Sequence, residues 1–144
     1  MFKVGIIGAG WIAEKMAEAL APLEDYCVYA IASRSIGKAT EFAGRWNIPK
    51  AYGSYEDMVK DNDVDLVYIA TPHSHHFPHA MLALNAGKPV LVEKAFTANA
   101  AEAEELIETA RSKGLFITEA IWTRYMPLSH KIKEIMESGI IGKP

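Results

Sequence analysis

The feature that most constrains this chain is its opening, "KVGIIGAGWIAEKM". An apolar run, Val4 to Ile7, meets Gly8-Ala9-Gly10, and Ala13 follows three residues after Gly10. A helix N-terminus presents unpaired N–H groups and the positive end of its dipole. A phosphate can sit there only where the backbone comes close. At this spacing Gly8 permits a tight turn, and Gly10 keeps side-chain atoms away from a pyrophosphate. Ala13 lets the new helix pack on the strand before it. The turn follows a strand pattern and opens an amphipathic helix through Ile12, Met16, Ala19 and Leu20, the context a dinucleotide site requires. Gly8, Ala9, Gly10, Trp11 and Ile12 are therefore candidate cofactor contacts. Trp11 either lies over the cofactor or only covers the helix start; the sequence does not separate these.

Apolar strand-like runs and helical patterns alternate through the rest of the chain. Strands are expected at Phe2 to Ile7, Tyr26 to Ala32, Lys50 to Tyr52, Val64 to Ala70, Pro89 to Glu93 and Leu115 to Thr118. Between them, Ala39, Phe42, Ala43 and Trp46 mark a second helix. Ser54 and Asp57 cap a short one that ends near Lys60. His75 to Ala86 is a helix closed by Gly87, and Asn99 with Glu102 caps another, whose apolar face is Ala103, Leu106, Ile107 and Ala110 and which ends at Gly114. Leu128, Ile132, Ile135 and Met136 line a last helix up to Gly139. Near-continuous apolar strands separated by helices imply a parallel sheet covered on both faces, an α/β doubly wound fold.

The end of the second strand bears on cofactor choice. A site that prefers NAD usually has Asp or Glu there to bond the ribose 2′-hydroxyl. This chain reads "IASRSIGKA", with Ser33 at that position and Arg34 next. Arg34 can fork onto a 2′-phosphate or stack on adenine, while Ser33 and Ser35 offer hydroxyls and Lys38 adds charge one turn on. The expectation is NADP over NAD, with a solvated surface Arg34 as the competing reading. The missing carboxylate also argues against an S-adenosylmethionine site.

Later strands end in "ATPHSHHFPHA", "VLVEKAFTANA" and "TEAIWTRYMP". In such sheets ligands bind outside the carboxyl ends of the strands, so these loops should line one cleft with the glycine turn. Lys94 is the candidate catalytic residue. The like charge of an oxidised nicotinamide and loss of water disfavour its ammonium form, which suits it to exchange a proton with a substrate hydroxyl. The competing reading is a surface lysine paired with Glu93. His75, His76 and His79 could share a helix face, but no cysteine accompanies them and the nearest acids lie outside the loop. No metal is expected. Glu119 either orients Trp122 and Arg124 or ends its strand facing water. Trp46 is expected in the core and His130 on a helix surface.

Composition excludes several classes. The net charge is −3 and no basic run reaches five residues, so neither a nucleic-acid patch nor a membrane-surface helix is indicated. No apolar run approaches the roughly 18 residues of a membrane span. A lone cysteine, Cys27, fits a reducing compartment, and the expected location is the cytoplasm.

Taken in order, "GAGWIA", "TPHSHH", "EKAF" and "EAIWTRYMP" resemble the N-terminal, NAD(P)-binding Rossmann domain of the Gfo/Idh/MocA oxidoreductases. "ASRS" and "EAIWTRYMP" are closest to the branch of dimeric dihydrodiol dehydrogenase and NADP-dependent xylose dehydrogenase. The resemblance covers essentially the whole chain. It implies that Glu93-Lys94-Ala95 stands for the family's Glu-Lys-Pro, with Lys94 as the catalytic lysine. It places Thr71, Pro72, His73 and His76 near the cofactor, in the family's Thr-Pro-Asn and following His pattern. It puts Trp122 and Arg124 on the nicotinamide and substrate side, and makes Arg34 the NADP-selecting arginine. Ala95 departs from the family's proline and His73 from its asparagine. Family members are more than twice as long and add a substrate and dimerisation domain. Residues 1–144 are thus expected to be the cofactor-binding domain of a homo-oligomeric enzyme acting on a sugar, polyol or cyclic diol. By itself the domain would bind nucleotide, show little turnover and expose an apolar patch near its last helix. The alternative is a non-catalytic NAD(P)-binding module or redox sensor, which has no use for Lys94.

Overall fold

A computed structural model describes residues 1–142. Lys143 and Pro144, where the second domain of the longer enzymes was expected to begin, lie outside the described residues. Six strands form one parallel sheet: β1 (Phe2–Ile7), β2 (Tyr26–Ala32), β3 (Lys50–Tyr52), β4 (Leu66–Ile69), β5 (Val90–Val92) and β6 (Ile117–Glu119). Their order across the sheet is β3-β2-β1-β4-β5-β6, and every neighbouring pair is parallel. The strand order reverses between β1 and β4, which makes the sheet doubly wound as expected.

Helices cover both faces. α1 (Trp11–Leu20) and α2 (Ile36–Trp46) pack on one, burying Ala13, Ala39 and Phe42 against Ile6, Ile31 and Tyr68. α3 (Tyr55–Val59), α4 (His76–Asn85) and α5 (Ala100–Ser112) close the other over Ile7, Val67, Ile69, Val90 and Val92. α6 (Pro127–Glu137) buries no residue. The predicted caps are present. Ser54 accepts from the Asp57 N–H at 3.1 Å and Asn99 from the Glu102 N–H at 3.0 Å. Glu102 answers at the Ala98 N–H, one residue before the cap. Trp46 is half-buried against the α1/α2 side of the core, and His130 is exposed on α6.

β4 and β5 are shorter than the expected Val64 to Ala70 and Pro89 to Glu93, and two other boundaries differ for identifiable reasons. β6 starts at Ile117 because the Leu115 N–H turns back to the Ala110 carbonyl and finishes α5. The helix expected from His75 starts at His76, after a 3-10 turn over His73–His75 that follows Pro72. No helix among the described residues is long and apolar enough to cross a membrane.

Candidate functional site

Parallel register sets the site. Ala32, Ile7, Ile69, Val92 and Glu119 stand in line across five strands, each at the carboxyl end of its strand. The loops that follow them carry Gly8, Ser33, Thr71, Lys94 and Trp122, so segments far apart in sequence share one edge of the sheet.

The two glycines of the opening turn have different jobs. Gly8 has φ +103°, and a Cβ there would lie 2.8 Å from the Ala70 carbonyl oxygen at the end of β4. Only glycine fits that turn and that approach. A Cβ on Gly10 would meet nothing within 4 Å. Gly10 is the N-cap of α1, no side chain caps this helix, and the space before its first turn is open. That is the cradle a pyrophosphate needs, with backbone N–H donors at its base. Ala13 is fully buried where α1 crosses the sheet, as the spacing required.

At the end of β2, Ser33 is buried and its Oγ accepts from the Ser35 N–H at 3.4 Å. Arg34 and Lys38 are exposed and form no ion pair among the described residues, and no carboxylate replaces Ser33. Arg34 is close enough to His79 for its charge to act on that ring. Burial, first, and then the charge of His75 push His79 down to about 4. Its Nδ1 lies 3.0 Å from Thr71 Oγ1. Neutral His79 thus braces the loop after β4, and among the described residues no group of three or more His, Cys, Asp or Glu is placed to hold a metal ion.

Lys94 is exposed and makes no ion pair among the described residues. The competing pairing with Glu93 does not form. Glu93 is buried, accepts the Tyr68 hydroxyl at Oε1 and accepts the Lys94 N–H at Oε2, 3.1 Å away. Burial pushes the Tyr68 hydroxyl well above the ordinary tyrosine range, and the Glu93 bond adds to it. Tyr68 is thereby a neutral donor that holds the carboxylate beside Lys94. The Lys94–Ala95 peptide bond is cis. His73 Nε2 lies 3.0 Å from the Lys94 carbonyl oxygen. His76 is fully buried, with Nδ1 at 2.7 Å from the Ala95 carbonyl and Nε2 at 2.9 Å from the Thr71 carbonyl. It has no exposed surface for a cofactor and bears on the site through the backbone it holds. Glu119 lines depressions with Trp122 and Arg124 but bonds neither among the described residues; its Oε1 accepts the Phe96 N–H at 2.8 Å.

Trp11 and Trp122, both exposed, line a groove of about 570 Å³ that runs over β4–β6 beside α1. Met16, Leu91, Tyr125 and the Tyr68–Glu93 pair also line it. Arg124 does not line it and sits with Thr118 and Ile121 in a smaller depression. Tyr68 was missed as a functional residue at the sequence level. Its one signal is a hydroxyl inside the otherwise aliphatic run "LVYIA".

Residues 2–120 match the family model for the Gfo/Idh/MocA oxidoreductases, NAD-binding Rossmann fold. The chain belongs to this family. Among Gfo/Idh/MocA relatives, mouse trans-1,2-dihydrobenzene-1,2-diol dehydrogenase is 46% identical over 140 residues, covering 96% of this chain and 42% of that protein. The NADP-dependent D-xylose 1-dehydrogenase of Hypocrea jecorina is 50% identical over 152 residues, covering 97% and 39%. This Gfo/Idh/MocA chain therefore spans about two fifths of the length of these relatives. Of solved structures, an NAD-binding oxidoreductase from Klebsiella pneumoniae superposes with a TM-score of 0.91 at 31% identity, over 99% of this chain and 40% of that one. A 3-ketoreductase from Actinomadura kijaniata in complex with NADP gives 0.90 at 33% identity, over 98% and 45%.

Proposed function

We propose that this chain is the cofactor-binding part of an NADP-dependent dehydrogenase acting on a hydroxyl-bearing carbon of a sugar, polyol or cyclic diol. The observation that carries the reading is the pairing of an open, uncapped α1 N-terminus at Gly10 with an exposed Arg34 after β2 that forms no ion pair among the described residues. The first fits a pyrophosphate, and the second fits a 2′-phosphate where a carboxylate would repel it. The names of the two enzyme relatives support the substrate class.

Bound nicotinamide supplies the hydride chemistry. The chain's own residues do the rest. Gly8, Ala9, Gly10 and the first-turn N–H groups of Trp11 and Ile12 seat the pyrophosphate. Ser33, Arg34, Ser35 and Lys38 surround the 2′-phosphate. Thr71, Pro72 and His73 border the cleft beyond β4, while Trp122 and Arg124 face the substrate side. Lys94 Nζ gives or takes the hydroxyl proton, with Glu93 beside it. The greater length of the relatives supports a second domain that completes the substrate pocket and an oligomer interface.

Titration of the chain with NADPH and NADH tests the cofactor reading. NADPH should bind more tightly, and Arg34→Ala should weaken NADPH by about tenfold or more while leaving NADH unchanged. Equal affinity for both nucleotides would remove the role of Arg34. Binding of neither would overturn the reading of the glycine turn.

A further inference from the structure

The backbone around Lys94 is gripped by side chains. Lys94 N–H, Lys94 C=O, Ala95 C=O and Phe96 N–H bond to Glu93, His73, His76 and Glu119 at 3.1, 3.0, 2.7 and 2.8 Å. The last three holders come from the turn before α4, from α4 itself and from β6. His76 is the most telling. A fully buried imidazole is costly unless bonded, and an apolar side chain would fill the same space more cheaply. Its two nitrogens face two carbonyls, Thr71 at the end of β4 and Ala95 directly after Lys94. A carbonyl only accepts and a neutral imidazole carries one N–H, so the ring donates to one of these carbonyls at a time and to both only as imidazolium. Glu119 secures the other side of the same loop from β6.

We propose that His76 and Glu119 are positioning residues for Lys94. The inference rests on the reading of Lys94 as the acid–base group. A lysine has a long, flexible stem, and its amine can be delivered to one place only if the backbone that launches it is fixed. His76 ties that backbone to α4 and Glu119 ties it to β6, while neither bonds the Lys94 amine. Misplacing a reacting group by about 1 Å can cost on the order of a hundredfold in rate, so holding this loop is a functional requirement distinct from stability.

The test is acetylation of lysines by acetic anhydride, read residue by residue, with and without NADPH. Lys131 and Lys133 on α6 serve as internal references. NADPH should slow acetylation of Lys94 in the unaltered chain. In Glu119→Ala and His76→Leu that protection should fall by about tenfold, while NADPH affinity stays within about threefold. Glu119→Gln, which keeps the accepting oxygen, should restore it. Full protection in both disruptive variants overturns the proposal. Where His76→Leu does not fold, Glu119→Ala, at a partly exposed position, decides the matter. Should NADPH bind the unaltered chain without protecting Lys94, the acid–base reading fails. Amide exchange at Lys94 to Phe96 then decides the positioning role by itself: faster exchange in the variants sustains it and unchanged exchange overturns it.

Discussion

α5 and α6 are both amphipathic and of similar length, and the apolar face of each is readable from its spacing. Yet α5 buries Leu106 and Ala110, while α6 buries nothing and leaves Leu128, Ile132, Ile135 and Met136 exposed. α5 lies beside α4 over the β4–β5 half of the sheet. The main neighbour of α6 is the short turn Trp122–Tyr125. The two faces of the sheet differ in the same way. Three helices close the face under α5; on the other, α1 and α2 cover β1–β3, and the β4–β6 half opens into the groove lined by Trp11 and Trp122. An apolar stripe therefore says which side of a helix avoids water and not what will cover it.

The largest effect should come from the closed side. Leu106→Ala should cost about 2–5 kcal/mol of unfolding free energy in a denaturant titration, because it opens a cavity in a packed core. At the floor of the open side, Tyr68→Phe deletes the hydroxyl that Glu93 accepts. Removing one partner of a buried bond should cost about 1–3 kcal/mol, read as a lowered thermal midpoint. A cost near zero would mean that water from the groove replaces the hydroxyl, and would sharpen the contrast between the faces.

A smaller effect is expected from acid. His79 sits at about 4 in the folded chain against an ordinary 6.5, so the unfolded chain takes up a proton first. Its contribution to stability is complete above pH 6.5 and is lost as the pH falls from there through about 4. His79→Gln should flatten that part of the stability profile. An unaltered slope would show that His79 is not shielded as α4 and Tyr55 place it. The smallest effect belongs to α6. Ile132→Ser combined with Ile135→Ser should move the unfolding free energy by less than about 0.5 kcal/mol. A loss like that at Leu106 would break the comparison by showing that α6 packs on the domain in solution.

Much of this was legible in the sequence, for local reasons. The glycine turn, the caps at Ser54 and Asn99 and the six strands depend on residues within a few positions of one another. The bracing of the site was not legible. The sequence leaves Glu119 either orienting Trp122 and Arg124, its near neighbours, or ending its strand in water, and it bonds Phe96, 23 positions away. The resemblance places His76 near the cofactor; the ring is buried, with its nitrogens facing the Ala95 and Thr71 carbonyls.

What the sequence determined by itself is the order of strands and helices, the glycine turn and the absence of an acid after β2. Each follows from backbone freedom, hydrophobic period or side-chain charge at single positions. Only the tertiary structure decided what surrounds Lys94 and what Tyr68 is for. The bonds of His73, His76, Glu119 and Tyr68 to the Lys94 region span 19 to 25 positions. Such bonds exist because parallel register brings the ends of β4, β5 and β6 level, and register is a property of the assembled sheet.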